Sequence, residues 1–483
     1  MMNETSGLKS FKHVHIIGVC GTLMGSFAAF LKRAGIRVTG SDQNVYPPMS
    51  DVLKNAGVEL FSGYLAENLE KIGGRPDLVV VGNVISRGNA EMTAFTDRGD
   101  PYVSLPEFME KHLLVNTRNL VVAGTHGKTT TSSILAHVLA DAKMKPSYFI
   151  GGVSQTLPNS FHVENDSKYF VLEGDEYDTA FWDKVPKFNH YLPNDGILTS
   201  VEFDHADIYA DLAAVKKAFS GLLSRIRPDG RLIACIETAN VRELIPEAKV
   251  PVVTYSRFEK DNADFTFKNL KSSSLGIEFD VYKRNEKLDH LSLNLPGEHN
   301  ALNALSVYIE CKAIGLTSDE IKHGFETFNG VKRRQEERGT VNGVLVIDDF
   351  AHHPTAVRET LKALHSKYPG RRLIAVFEPR SATSRRKIFQ KEYTEAFSDA
   401  DETFIAVAYD QSKIPSDQQF SSQELVAGLK ERGKAAQFFE SVEEGVNRVA
   451  ISARPTDVVA VLSNGGFGGF IPKLLEALKD SKG

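Results

Sequence analysis

The stretch GTHGKTTT, Gly124–Thr131, follows the apolar run LVVA and precedes a helix-like segment. A loop of this kind turns backbone N–H groups inward at a helix N-terminus, where they bind phosphate oxygens. Gly124, Thr125, His126, Gly127, Lys128, Thr129 and Thr130 are therefore the expected ligands of a nucleotide triphosphate. Lys128 would neutralise the terminal phosphates, and the Thr129 hydroxyl would ligate Mg²⁺. The interval from Gly124 to Gly127 is shorter than in the usual phosphate loop. Two acidic clusters follow at apolar strand ends: EGDEYD, with Glu173, Asp175, Glu176 and Asp178, and DHAD, with Asp204, His205 and Asp207. A second metal held by Glu173 and His205 could bridge a phosphate and a reacting oxygen. Capping of a helix by Asp204 or Asp207 is the plainer use.

GEHNALNAL places His299, Asn300 and Asn303 at a helix start, where Asn300 could cap the helix or bond an adenine edge. VKRRQEERG is a charge run, ordinarily a solvated face. Arg333 or Arg334 could instead be carried from one unit onto the γ-phosphate held by another, since a guanidinium fork matches phosphate oxygens. DDFAHHP follows the strand-like VLVI and so brings its Asp and His residues to a sheet's carboxyl edge. Near the N-terminus, Gly18, Gly21 and Gly25 depart from the usual dinucleotide spacing. Together with Asp42, which could bind a ribose hydroxyl, they indicate a diphosphate-bearing ligand without choosing NAD or a nucleotide sugar.

Such loops need parallel strands to hold them, and the chain supplies three blocks. HVHIIG, IRVTGSD and DLVVVGN alternate with helical stretches, one of them near Asn89–Arg98. LVVAG, KYFVLEG and GILTSV form the second block. It continues with hairpin-like alternation over Phe265–Leu295 and helices near Asn300–Ile314 and Ser318–Phe328. VLVIDDF, RLIAVFEP, TFIAVAYD, AAQFFE and VVAVLSNGG form the third. The expected class is α/β in three domains: residues 1–117 Rossmann-like, for the diphosphate-bearing ligand, 118–330 a central P-loop ATPase-like unit, and 331–483 a Rossmann-like doubly wound sheet. A length of 483 residues suits that number of domains. With 42% hydrophobic and 25% charged residues the chain is globular, and its net charge of −5 announces no nucleic-acid partner. Cys20, Cys235 and Cys311 are too far apart for a CxxC zinc site. The polar start MMNETSGLKS reads as no signal peptide, and no apolar run approaches a membrane span, so a cytoplasmic enzyme is expected.

Taken together, GTHGKTTT, EGDEYD, DHAD, GEHNALN, VKRR and DDFAHHP resemble, in the same order and over essentially the whole chain, the Mur ligase family of ATP-dependent amide-forming enzymes. HIIGVCGTLMG and DDFAHHPTAV are similar to the branch that acts on UDP-N-acetylmuramate. Within it, SDQNVYPPMSDVL, GNVISRGN, FEPRSATSRR and SNGGFGGF resemble the enzyme that attaches a recycled tripeptide, L-alanyl-γ-D-glutamyl-meso-diaminopimelate. The alternative is the enzyme of de novo synthesis that adds L-alanine. It typically carries a histidine-arginine-tyrosine segment where this chain has Pro379, Arg380, Ser381 and Ala382. The resemblance implies Lys128 on the β/γ-phosphates, Thr129 and Glu173 on one Mg²⁺, and His205 at a second metal. It implies Asn300 on adenine, Arg334 on the γ-phosphate, Asp349 on the ATP ribose and His352 beside the nucleotide. Gly18, Gly21, Asp42 and Asn83 would meet the UDP-sugar, and Arg380 and Ser381 the incoming peptide. Lys128, His205 and Arg334 would be the catalytic set. Other members carry a carbamylated lysine after DHxD. Here that place holds Phe219, with Lys216 and Lys217 out of register, so no carbamate is expected. A nicotinamide dehydrogenase would leave GKTT idle, a P-loop switch or transport ATPase would not explain two flanking sheets, and folylpolyglutamate synthetase lacks the UDP-type first block.

Overall fold

The computed structural model describes residue 8, residues 10–45 and residues 49–480. Most of MMNETSGLKS lies outside the described residues, as do Tyr46, Pro47 and Pro48 of SDQNVYPPMSDVL. The first sheet comprises β1 (His13–Ile17), β2 (Arg37–Asp42), β3 (Glu59–Ser62), β4 (Leu78–Val81) and β5 (Tyr102–Ser104). All pair in parallel in the order β3-β2-β1-β4-β5. β1 and β4 are buried along their whole length, as strands covered by helices on both faces must be. The histidines in β1 are satisfied in the interior: His13 Nε2 and His15 Nδ1 meet Thr39 Oγ1 at 2.9 and 2.8 Å, and His15 Nε2 meets Glu91 at 3.2 Å.

The second sheet has ten strands: β6 (Arg118–Ala123), β7 (Ser147–Phe149), β8 (Phe161–His162), β9 (Tyr169–Gly174), β10 (Asp195–Leu198), β11 (Arg231–Cys235), β12 (Val252–Tyr255), β13 (Phe265–Ser273), β14 (Gly276–Lys283) and β15 (Glu286–Leu293). β6 lies between β10 and β9, both parallel to it, so the segments leaving these three strands converge at one edge. The expected hairpins are the antiparallel β13-β14-β15. The third sheet contains β16 (Glu336–Val341), β17 (Val344–Asp349), β18 (Leu373–Phe377), β19 (Glu402–Ala406), β20 (Ala435–Phe439) and β21 (Val458–Leu462), in the order β16-β17-β21-β18-β19-β20. β16 is its antiparallel member. The charge run VKRRQEERG is therefore partly an edge strand, where exposed charges discourage pairing with another chain. The short β3, β5, β7 and β8, together with β11 and β12, carried no signal strong enough to be read from sequence.

Helix Glu298–Ala313 is buried on nearly every face beneath the second sheet. It brings Glu310, with no exposed surface, against Asp195, which already accepts 2.7 Å bonds from Nε and Nη2 of Arg118. Neither Glu310 oxygen finds a donor. Two carboxylates in contact need a proton between them, and burial, then the charge of Asp195, pushes Glu310 well above the ordinary carboxyl range. Its contribution to stability is thus complete below the unfolded value and is lost as pH rises toward the folded one. Glu310→Gln, which mimics the protonated acid, should gain on the native chain by up to about 1.4 kcal/mol per pH unit between about pH 5 and 8. Thermal unfolding across that range checks this; parallel curves would place the proton elsewhere.

Candidate active site

β6 feeds the phosphate loop, whose Gly124 and Gly127 have φ of +139° and +83°. A Cβ there would lie 2.2 Å from Thr199 Oγ1 and 2.7 Å from Asn303 Oδ1, so both positions require glycine. The shortness of the loop has a structural basis in the segment after β10, which braces it. The Thr125 N–H donates to the Ser200 carbonyl at 3.0 Å, the His126 N–H to Ser200 Oγ at 2.9 Å, and the Glu202 N–H to Thr125 Oγ1 at 2.8 Å. Helix Lys128–Asp141 starts directly from Gly127 and points its N-terminus at the loop.

Lys128 is folded back over its own loop. Its Nζ donates to the carbonyls of Gly124 (2.6 Å) and Thr125 (3.2 Å) and lies 2.9 Å from Glu176 Oε2. Burial alone would lower its pKa, but Glu176 outweighs burial and holds it above the ordinary lysine value. Thr129 Oγ1 donates to Glu173 Oε1 at 2.7 Å, and the Gly151 N–H to Oε2 at 2.6 Å. Burial raises the Glu173 pKa, and these donors pull it only partly back. His205 faces Glu176 Oε1 at 2.9 Å, so Glu176 stands between it and Lys128. Burial would lower the pKa of this ring, yet the bond to Glu176 raises it, which favours imidazolium over a free base. Glu173 and His205, expected to share an ion, line the same cavity, with His205 bonded to Glu176. Neither Asp204 nor Asp207 caps a helix: Asp211 does, at Leu212–Leu223. Phe219 of that helix is fully buried 5.6 Å from Phe188, and Lys216 turns away to Glu243.

Arg334, Asn300, Asp349 and His352 line the same cavity of about 630 Å³ as the phosphate loop, a size suited to a nucleotide-scale ligand. Both arginines line the cavity and lie against the Phe350 ring, at 5.2 and 5.0 Å, but Arg333 Nη2 is committed to the carbonyls of Ser463 (2.6 Å) and Gly465 (2.7 Å). Asp349 accepts from the N–H groups of Ala351 (2.7 Å) and Gln335 (2.8 Å), and burial raises its pKa. Asn300 does not cap its helix. Gly297 occupies that place, and Asn300 Nδ2 donates to the Pro296 carbonyl at 2.7 Å. His352 reaches Asp204 at 3.7 Å across the two sheets.

The first sheet reaches the cavity through Leu23. Gly18 has φ +85°, Gly21 precedes the helix Thr22–Arg33, and Asn83 is exposed at the edge beyond β4. Asp42 is occupied locally, accepting from the N–H groups of Cys20 (2.9 Å) and Asn44 (3.0 Å). Arg380 and Ser381 do not line the cavity. The Arg380 guanidinium stacks on Tyr409 at 3.9 Å, and Ser381 Oγ donates to Ser384 Oγ at 2.9 Å. Sequence reading passed over Glu202, Thr355 and Thr383, which with His353 of DDFAHHP join the second and third sheets. Thr355 Oγ1 donates to Glu202 Oε2 at 2.8 Å and Thr383 Oγ1 to Asp204 Oδ1 at 2.5 Å. Only the second histidine of DDFAHHP signalled any of them.

A phosphate loop and an arginine from the next unit lining one cavity, beside the first sheet with its own glycine turn, define the class as a nucleotide-binding enzyme. Residues 13–116 match the Mur ligase family, catalytic domain; residues 122–310 match the Mur ligase middle domain; and residues 333–465 match the Mur ligase, glutamate ligase domain. The UDP-N-acetylmuramate–L-alanyl-γ-D-glutamyl-meso-2,6-diaminoheptandioate ligase of Escherichia coli is 38% identical over 466 residues, covering 96% of this chain and 98% of that protein. The crystal structure of a murein peptide ligase from Psychrobacter arcticus is 34% identical, with a TM-score of 0.72 over 98% of this chain and 100% of that one. The UDP-N-acetylmuramate–L-alanine ligase of Clostridium tetani is 34% identical over 403 residues, covering 83% of this chain and 84% of that protein. The chain belongs to the Mur ligase family.

Because Glu176 raises the His205 pKa against burial, Glu176→Gln should lower it below the native value and release Lys128 from its ion pair. Imidazole resonances of histidine-labelled protein followed against pH test this. An unchanged His205 titration would remove Glu176 from that role.

Proposed function

We propose that this chain joins L-alanyl-γ-D-glutamyl-meso-diaminopimelate to UDP-N-acetylmuramate at the expense of ATP, in the recycling of peptidoglycan, and that it works in the cytoplasm. The observation that carries the ligase chemistry is the convergence of Lys128, Thr129 and Glu173 with Arg334 and Asp349 in one cavity. The tripeptide is favoured over L-alanine by FEPRSATSRR and by the similarity to the Escherichia coli enzyme over 96% of the chain. Residues 1–117, 118–330 and 331–483 are the working units for the UDP-sugar, ATP and closure.

A carboxylate is a poor electrophile, so its oxygen first attacks the γ-phosphorus of ATP and the bond to ADP breaks. Lys128 and Arg334 bear on the charge spread over the transferring oxygens. The neutral alanyl amine of the tripeptide then attacks the acyl carbon. The tetrahedral intermediate collapses, phosphate leaves with the former carboxylate oxygen, and the amine gives up one proton. Thr129 and Glu173 are all-oxygen donors 2.7 Å apart beside the loop, a hard set that fits Mg²⁺ with the remaining positions left to phosphate and water. When bound there, the ion screens the phosphates from the neighbouring carboxylates. Asn300 would meet the adenine edge, and Asp349, whose Oδ2 accepts only from the Gln335 N–H, the ribose. His352 lies beside them. Gly18, Gly21, Asp42 and Asn83 would take the UDP-sugar, whose acyl end reaches the cavity past Leu23. Arg380 and Ser381 remain proposed for the peptide, on resemblance alone.

Phosphate release with ATP, Mg²⁺ and UDP-N-acetylmuramate should require the tripeptide and be nearly silent with L-alanine. Turnover with alanine alone would assign the de novo activity instead. Arg334→Ala should lower kcat at least about 10³-fold, the scale of an arginine on a transferring phosphoryl group, while Arg333→Ala should act chiefly on stability. Chelation should abolish turnover and added Mg²⁺ restore it; turnover that survives chelation would contradict the role of Thr129 and Glu173.

A further inference from the structure

In the wall of the phosphate cavity, His126, Glu202 and His353 bring one ligand atom each within 4.8 Å of one another. His126 belongs to the phosphate loop, Glu202 to the segment after β10, and His353 to the turn into helix Pro354–Lys367 of the third sheet. His126 Nε2 lies 3.1 Å and His353 Nδ1 3.5 Å from the same oxygen, Glu202 Oε2. A tetrahedral ion with bonds of about 2.0–2.1 Å places its ligand atoms about 3.3 Å apart, so the two edges to Glu202 have that span, and the edge between the histidines lies within 4.8 Å.

Proton placement supplies an independent argument. His353 Nε2 faces the Phe203 carbonyl at 3.3 Å, an acceptor only, and must carry the ring proton. Nδ1 then carries the ring's one lone pair, which accepts the Thr355 N–H at a long 3.3 Å, a bond that a metal ion would replace. That lone pair faces a carboxylate oxygen. A ring whose outer N–H is held by a backbone carbonyl while its other nitrogen turns inward is also the usual setting of a metal-bound histidine.

We propose that His126, Glu202 and His353 form a binding site for a borderline first-row cation, Zn²⁺ being the one whose tetrahedral His₂Glu chemistry they match. The site is separate from the oxygen-only Thr129–Glu173 pair. Imidazole donors select against Mg²⁺, which prefers oxygen and octahedral geometry. The positive end of helix Pro354–Lys367 works against a cation here, and the Glu202 carboxylate offsets it. Bound Zn²⁺ ties the phosphate loop to the third sheet and so holds the closed arrangement.

The test uses the full chain, stripped of metal and titrated with ZnCl₂ by calorimetry in excess Mg²⁺. His353→Asn keeps a helix-capping side chain, and Glu202→Gln keeps the shape of the site. One Zn²⁺ per native chain is expected, weakened by more than about 100-fold in each variant. Co²⁺ should give the visible absorption of a tetrahedral nitrogen and oxygen site. Failure of the native chain to bind Zn²⁺ stoichiometrically, equal binding by both variants, or a thiolate charge-transfer band from a cysteine site would each overturn the proposal.

Discussion

The site depends on one short segment being gripped from two sides. Residues 200–206 leave β10, and on one side they fix the phosphate loop through Thr125 and His126. On the other they are held by the third sheet, through Thr355 on Glu202, Thr383 on Asp204 and on the Ala206 N–H, and His352 opposite Asp204. Each charge-assisted bond of this kind contributes about 1.5–3 kcal/mol. Burial opposes ionisation of Asp204, but His352 and its neighbours hold its pKa well below the ordinary value; Glu202, bonded by His126, is brought to about 2. Both therefore stay charged and keep their partners through the physiological range. That grip, with the Lys362–Glu298 and Arg257–Glu359 pairs, fixes Arg334 and Asp349 relative to Lys128.

The charges inside the cavity then make sense as a set that a polyphosphate must rearrange. Glu173 and Glu176 stand where further negative charge has to enter, and Lys128 is occupied by Glu176 and two loop carbonyls. In the proposed reaction Lys128 would turn from those partners to the phosphates, and a cation would screen Glu173. Arg334 approaches from the other side on Phe350, a ring that orients it without neutralising it. Positive charge is thus supplied by two units of the fold and is complete only when they meet.

What the sequence disclosed follows the distance over which each signal acts. Lys128, Thr129 and Glu173 were legible because strand, loop and helix are contiguous, and the acidic strand end lies one sheet position away. The choice of Arg334 over Arg333 rested on resemblance. Its physical reason, the capture of Arg333 by the carbonyls of Ser463 and Gly465, spans more than a hundred residues. Glu202 was invisible because Thr355 lies 153 residues away and the intervening chain gives no hint of the contact. Asn300 and the DHAD aspartates were open between capping and function. The caps turned out to be Gly297 and Asp211, which freed those side chains for other bonds. The buried histidines of β1 escaped notice because their partners, Thr39 and Glu91, sit on other elements.

The central claim is that the muramyl carboxylate is activated by phosphorylation inside the closed cavity. It is tested most directly by following oxygen. With UDP-N-acetylmuramate labelled with ¹⁸O in both carboxylate positions, ATP and the tripeptide, mass spectrometry of the released phosphate should find one ¹⁸O per phosphate, the other remaining in the new amide. Phosphate free of label alongside the same amide product would mean that ATP is hydrolysed without ever bonding to the carboxylate, and would contradict the account.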